Sequence, residues 1–247
     1  MGWGMGIPIG WPNATYQGGA AVPLTAEIPS NSIFNMPTNG NYTIEFYAGY
    51  ITPKATSEPH MFFTFGTDLF APVPAPHAVF LARNGMTWEL FYFIEGNFIF
   101  GWNVSTAINT NFWNYFVIER KGNNVYLGLN GTWVTSTPVS SPSPAIPTNG
   151  LPMYIGSNNV DSILNGMMNN FRWSTTNVYD INLPFTPPLA NLTALPSTIM
   201  LTMQGGNLAS SLIDQSGNGN DIIPGTKASY VGVSPAAGMS GSLLFQP

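Results

Sequence analysis

The sequence predicts an all-β fold of antiparallel strands, and three observations lead there. The first is composition. Only 7% of the residues are charged, while 44% are hydrophobic and 13% aromatic, with 26 Gly and 22 Pro. Globular domains usually carry about a quarter charged residues, so this chain is poor in solvated helix formers and rich in strand and turn formers. The second is a period-two pattern: Tyr42, Ile44, Phe46, Ala48 and Tyr50 alternate with Thr43, Glu45, Tyr47 and Gly49, as in a strand with one buried face. The third is the stretch from Phe112 to Trp133. It begins with an aromatic and β-branched run from Trp113 to Arg120, which suits a pleated strand. Lys121-Gly122-Asn123-Asn124 follows as turn chemistry, then Val125 to Leu129, then Asn130-Gly131, a strong hairpin signal. A third strand starts at Thr132. Both faces of the first strand carry large side chains, so it is either covered on both sides or lines an aromatic concave face.

Taken in order, residues 1 to 30 are rich in Gly, Pro and Ala, with Trp3 and Trp11. They read as an irregular N-terminal arm docked on the domain or on a neighbour, because exposed Trp is unusual in a solvated tail. Strands are expected at 42–50, 60–65 and 78–83, with a Pro-punctuated loop at 67–76. Residues 87–94 and 98–102 form a hairpin around Glu95-Gly96-Asn97. Residues 138–147, rich in Ser and Pro, form an extended loop. Val178 to Leu189 leaves the sandwich, and 198–203 is another strand. Asp214-Gln215-Ser216-Gly217-Asn218-Gly219-Asn220-Asp221 is a Gly/Asn loop, and Ser242 to Phe245 a last strand. The expected core residues are Trp113, Val117, Leu127 and Leu129 of the central hairpin, with Tyr42, Ile44 and Phe46.

Three pieces resemble one family. Trp113 to Arg120, a Gly-Asn turn and Val125-Tyr126-Leu127-Gly128-Leu129-Asn130-Gly131 look like the central hairpin of laminin-G-like domains, members of the concanavalin A-like lectin/glucanase superfamily. Asn41-Tyr42-Thr43-Ile44-Glu45-Phe46-Tyr47 resembles the family's early strand. Leu151 to Ser157, followed by Leu164 to Trp173, resembles its closing strands. The resemblance implies an all-β antiparallel jelly-roll β-sandwich, concanavalin A-like, with irregular N- and C-terminal extensions. The expected division is an arm at 1–30, a sandwich at 31–190 and a C-terminal extension at 191–247 that closes the sheet or docks on a neighbour. Segments like Val178 to Leu189 follow such domains in some phage and large-virus structural proteins.

Several functions are disfavoured by what the chain contains. Net charge is −5 with no basic patch, which argues against nucleic acid. Cysteine is absent, so there is no disulfide or thiolate chemistry. The opening residues lack the basic and apolar regions of a signal peptide, and no apolar run reaches the ~18 residues of a membrane span.

The superfamily includes glucanases, and a retaining glycosidase needs two carboxyls roughly 5 Å apart. Glu89, Glu95 and Glu119 stand apart in sequence, with no E-x-D-x-x-E cluster. The only histidines, His60 and His77, sit in or beside strands without a nucleophile elbow. No cofactor is expected. Calcium is a weak candidate at Asp68 or Asp161; Asp214-x-Ser216-x-Asn218 imitates the start of an EF-hand loop but has Gly225 in place of the closing Glu. A glycan site would take aromatic faces and amides: Trp88, Trp102 and Asn103, with Asn158, Asn159 and Asp161 on a loop. Trp in a sandwich is more often core. The reading that follows is a non-catalytic structural or adhesive module of a larger assembly, in a virion or on an extracellular surface, touching other subunits and glycans. The alternative is a soluble carbohydrate-binding lectin module, and a glycoside hydrolase comes third.

Overall fold

The structure is a computed structural model that describes residues 25–52, 59–66, 77–84, 87–94, 97–138, 150–159 and 162–246. Its strands are β1 (Ala26–Ile28), β2 (Tyr42–Gly49), β3 (His60–Phe65), β4 (His77–Asn84), β5 (Thr87–Ile94), β6 (Asn97–Asn103), β7 (Trp113–Lys121), β8 (Asn124–Leu129), β9 (Thr132–Pro138), β10 (Met153–Ile155), β11 (Gly166–Ser174), β12 (Thr198–Thr202), β13 (Ile223–Pro224), β14 (Ala228–Val231) and β15 (Ser242–Phe245). They form two antiparallel sheets. One has the order β13-β1-β10-β3-β4-β5-β6, and the other β14-β15-β11-β2-β7-β8-β9, with β12 also paired to β11. The chain passes repeatedly from one sheet to the other, which makes a jelly-roll sandwich of concanavalin A-like type.

Strand alternation builds the core. Tyr42, Ile44, Phe46 and Ala48 point inward from β2, Phe116 and Ile118 from β7, and Leu127 and Leu129 from β8. Phe46 stacks on Phe116 and Phe171 of its own sheet, at 5.3 and 5.9 Å, and meets Phe62 of the opposite sheet at 5.0 Å. Each fully buried Phe of this kind contributes about 1.5–3 kcal/mol. Of the expected core residues, Trp113 and Val117 lie instead on the outer face of the second sheet. The period of two requires this: with Phe116 and Ile118 inside, their odd-numbered neighbours must face out.

The strands Asn130-Gly131 separates are joined as expected. Asn130 takes φ +52 and Gly131 φ +93, the left-handed pair of a tight hairpin turn. Sheet strands come from both sides of 31–190, since β1 precedes that span and β12 to β15 follow it. Ser242 to Phe245 lies between β11 and β14, with Leu243 and Phe245 fully buried. Gly156, at φ +77, gives the Phe245 ring its space; a Cβ there would lie 2.5 Å from Cδ1.

His77 is buried among Tyr42, Phe63, Phe65, Tyr92 and Trp173, and neither ring nitrogen has a hydrogen-bond partner. Burial, then the nearby charge of Arg120, pushes its pKa well below the ordinary histidine range. Arg120 sits over the Tyr42 ring at 4.9 Å and donates from Nη2 to the carbonyl of Pro37 at 2.7 Å. Residues 1–24 with Trp3 and Trp11, the loop at 67–76, Glu95-Gly96 and most of the Ser/Pro-rich loop, residues 139–149, lie outside the described residues.

Candidate functional site

The densest polar chemistry lies on the outer face of the second sheet. Alternation turns Thr43, Glu45 and Tyr47 of β2 outward, with Tyr115, Val117 and Glu119 of β7, and the register sets Arg172 of β11 against Glu45. The segment from Val178 to Leu189 does not leave the sandwich, as the sequence suggested. It turns back over this face as a strap, with Tyr179 and Phe185 packing on Tyr47, Tyr115 and Val117. Gly128 of β8 makes room: a Cβ there would lie 2.6 Å from Phe185 Cε1. Tyr47 donates its hydroxyl to the carbonyl of Pro188 at 2.7 Å.

Under the strap, Glu45 is satisfied on every side. Arg172 donates to Oε1 from Nε at 2.6 Å and forms an ion pair through Nη2. The hydroxyls of Tyr115 and Tyr179 both reach Oε2, the latter at 2.6 Å. Arg172 spends Nη1 on the carbonyl of Thr193 at 2.8 Å. A buried ion pair repays its desolvation only with such full hydrogen bonding. Burial, then the Glu45 charge, drives the pKa of Tyr115 and of Tyr179 well above the ordinary phenol range, so both stay protonated donors. Glu119 differs. Its Oε2 accepts from Thr43 Oγ1 and from the backbone N–H groups of Val178 and Tyr179, at 3.0, 3.2 and 3.1 Å. Its Oε1 is buried without a partner, and burial raises its pKa despite those donors.

Glu45 and Glu119 therefore share one face of adjacent strands, a juxtaposition the sequence reading did not make. No local spacing could reveal it, because β7 enters the chain far from β2 and the pairing is set by the sheet. Both carboxylates are fully buried, and each takes at least one donor from the strap: the Tyr179 hydroxyl for Glu45, the Val178 and Tyr179 N–H groups for Glu119. This arrangement fastens a covering segment to the sheet. Glu89 lies on β5 opposite Asn103 of β6, away from this face, and Glu95 lies outside the described residues. His60 shares Nδ1 with the carbonyl of Leu164. Asp214 accepts from the N–H of Leu201, Ser216 and Asn220 and from Ser216 Oγ. It is a carboxylate already surrounded by donors, as in an Asx turn. Among the described residues no group of three or more His, Asp or Glu is placed to hold a metal ion.

The residues expected at a glycan site fall into two places. Trp102 points into the core between the sheets and Trp88 packs against that core beside His60, so burial leaves the Trp102 ring no free face. Asn103 is exposed, and its Oδ1 accepts from Ser105 N–H at 3.1 Å. Asn158 is buried and closes a turn by accepting from Ser162 N–H at 2.9 Å, while Asn159 takes φ +60 beside it. That turn follows β10, which β3 and β4 separate from β5 and β6, so the two groups do not converge. Asp68 and Asp161 lie outside the described residues.

No protein-family model matches the chain, and no curated protein matches it at a significant level. Solved structures similar to it include a native heptameric SAP-like pentraxin from Limulus polyphemus, at 10% identity and TM-score 0.43, over 65% of this chain and 79% of that one. Domain 4 of AbnA, a GH43 extracellular arabinanase from Geobacillus stearothermophilus in complex with arabinotriose, matches at 16% identity and TM-score 0.42 over 60% of this chain. The match spans 64% of that domain structure. Sheep galectin-11 in complex with glycerol matches at 12% identity and TM-score 0.32, over 54% of this chain and 89% of that one. Scores at this level carry no inference about this chain's ligand. Among the described residues no helix is long and apolar enough to cross a membrane.

Proposed function

We propose that this chain is a non-catalytic β-sandwich module that contacts carbohydrate within a larger assembly. The observation that carries this reading is the closure of the second sheet's outer face. Its two buried carboxylates are occupied by Arg172, two tyrosine hydroxyls and the strap backbone, so the acidic chemistry serves structure. With only 7% charged residues, the chain is suited to a neutral, hydroxyl-rich ligand. The test pairs a glycan array with a polysaccharide turnover assay on the purified chain. Selective retention without turnover supports the reading. Hydrolysis that disappears in Glu45→Gln or Glu119→Gln with the fold kept would refute it.

A second reading is favoured by one observation. Leu189 is 75% exposed and Leu183 59%, both on the strap, where apolar surface invites association. This fits a structural subunit of an assembly such as a phage or virus particle. Stoichiometric co-purification with other particle proteins, and retention on no glycan, would favour it over the first.

A further inference from the structure

One end of the second sheet presents aromatic rings to solvent on a fixed frame. Tyr50, just past β2, is 41% exposed, and Phe112, just before β7, is 61% exposed. The Tyr50 ring stands edge-on to Trp113 at 5.7 Å and 88°. Tyr50 also holds φ +50, a left-handed conformation that a bulky L-residue disfavours. Such an outlier persists only where its surroundings fix it, and it points to function rather than to fold.

The surroundings do fix it. On one side Ile51 N–H donates to the carbonyl of Thr110 at 2.8 Å, and Thr52 N–H to that of Asn165 at 3.0 Å. On the other, the buried Asn114 holds the loop before β7. Its Nδ2 donates to the carbonyls of Asn109 and Phe112, and its Oδ1 accepts from Asn109 N–H and Asn130 Nδ2. Four bonds from one side chain fix the backbone that carries Phe112. The segments that build this end, 48–52, 107–114 and 163–168, contain no Asp, Glu, Lys or Arg. Exposed Asn109, Asn111 and Thr52 flank the rings.

We infer that Tyr50 and Phe112 form the platform of a binding site for an uncharged saccharide. The C–H face of a sugar ring covers an aromatic ring, and its hydroxyls meet the flanking amides. Three features choose this occupant. Among the described residues of this end, Tyr50 and Phe112 are the exposed large apolar side chains. Its border is amide and hydroxyl. Among the described residues that build it, none carries a charge to hold an anionic ligand. The platform is built before binding, so little ordering entropy is lost on association. This site rests on the carbohydrate reading above and gives it a location.

The experiment uses the whole chain. An array carrying neutral and anionic glycans identifies a ligand, and calorimetry on that ligand compares wild type with Tyr50→Gly, Phe112→Ala and Asn103→Ala. Glycine adopts φ +50 freely, so Tyr50→Gly removes the ring while keeping or raising the melting temperature. The expected result is a neutral-glycan ligand whose affinity falls roughly tenfold or more in Tyr50→Gly and Phe112→Ala, with Asn103→Ala unchanged. Wild-type affinity in both ring variants would overturn the site and leave the carbohydrate reading standing. Retention of anionic glycans alone would overturn the site's chemistry, and retention of no glycan would overturn both readings.

Discussion

At the scale of single residues, two buried titratable groups pull stability in opposite directions with pH. His77 has its pKa lowered in the folded state, first by burial and then by Arg120. The unfolded chain, with an ordinary histidine pKa of about 6.5, therefore binds the proton more readily. Its contribution is complete above that value and is lost as pH falls from it toward the folded pKa. Glu119 has a raised pKa, so its burial penalty is present at neutral pH and relaxes on acidification. Urea midpoints at pH 7.5 and 5.5 should show a fall for wild type that shrinks in His77→Phe; an identical fall in the variant would remove His77 as its cause. Glu119→Gln should keep the fold with a neutral-pH midpoint no lower than wild type. Glu45→Gln should cost about 3–5 kcal/mol, because it leaves the Arg172 guanidinium buried without its counter-charge. Equal midpoints for the two Gln variants would contradict the unequal hydrogen bonding of the two carboxylates. The sequence marked Glu119 as a lone acid, correctly for its local context, but not Glu45, which looked like one polar position in an alternating strand. The buried partners of both are assigned by strand pairing and by a loop, neither of which leaves a local mark.

At the scale of elements, the hairpins and long strands were legible because turn residues and period-two patterning agree there. Lys121-Gly122-Asn123-Asn124 and Asn130-Gly131 set β7 to β9, and the alternation of β2 fixed which residues face the core. The strap was not legible. Its Pro-rich segment has no period, and Tyr179 and Phe185 find their places only against Tyr115 and the bare backbone of Gly128. That dependence is open to test. Gly128→Ala should push Phe185 away and destabilise by about 1–3 kcal/mol, with faster proteolysis between residues 176 and 190. Unchanged proteolysis would mean the strap is held elsewhere. Leu127→Ala, on the inner face of the same strand, should cost about 2–5 kcal/mol without altering strap proteolysis. The Trp residues chosen as ligand contacts illustrate a different limit. Periodicity says that a residue alternates, but the inside of a strand is decided by which sheet stands opposite, and Trp102 meets a core.

At the scale of the whole molecule, the sandwich has a third layer on one side, since the strap and the segment around Met239 cover the second sheet. The all-β class and antiparallel pairing could be read from composition and pattern. The placement of Ser242 to Phe245 between β11 and β14 could not, because a short apolar strand fits several sheet edges equally well. Deleting residues 240–247 would strip β14 and the Gly166–Met168 end of β11 of their pairing and uncover the buried Met168. A lowered midpoint is the expected outcome, and an unchanged midpoint would argue against that pairing. The same strand arrangement also sets a tempo. Thr43 on β2 meets Glu119 across 76 residues and Thr176 across 133, so the central strand closes two very long loops before its contacts repay the lost chain entropy. Stopped-flow refolding should accordingly fall in the millisecond-to-second range typical of chains dominated by non-local pairing.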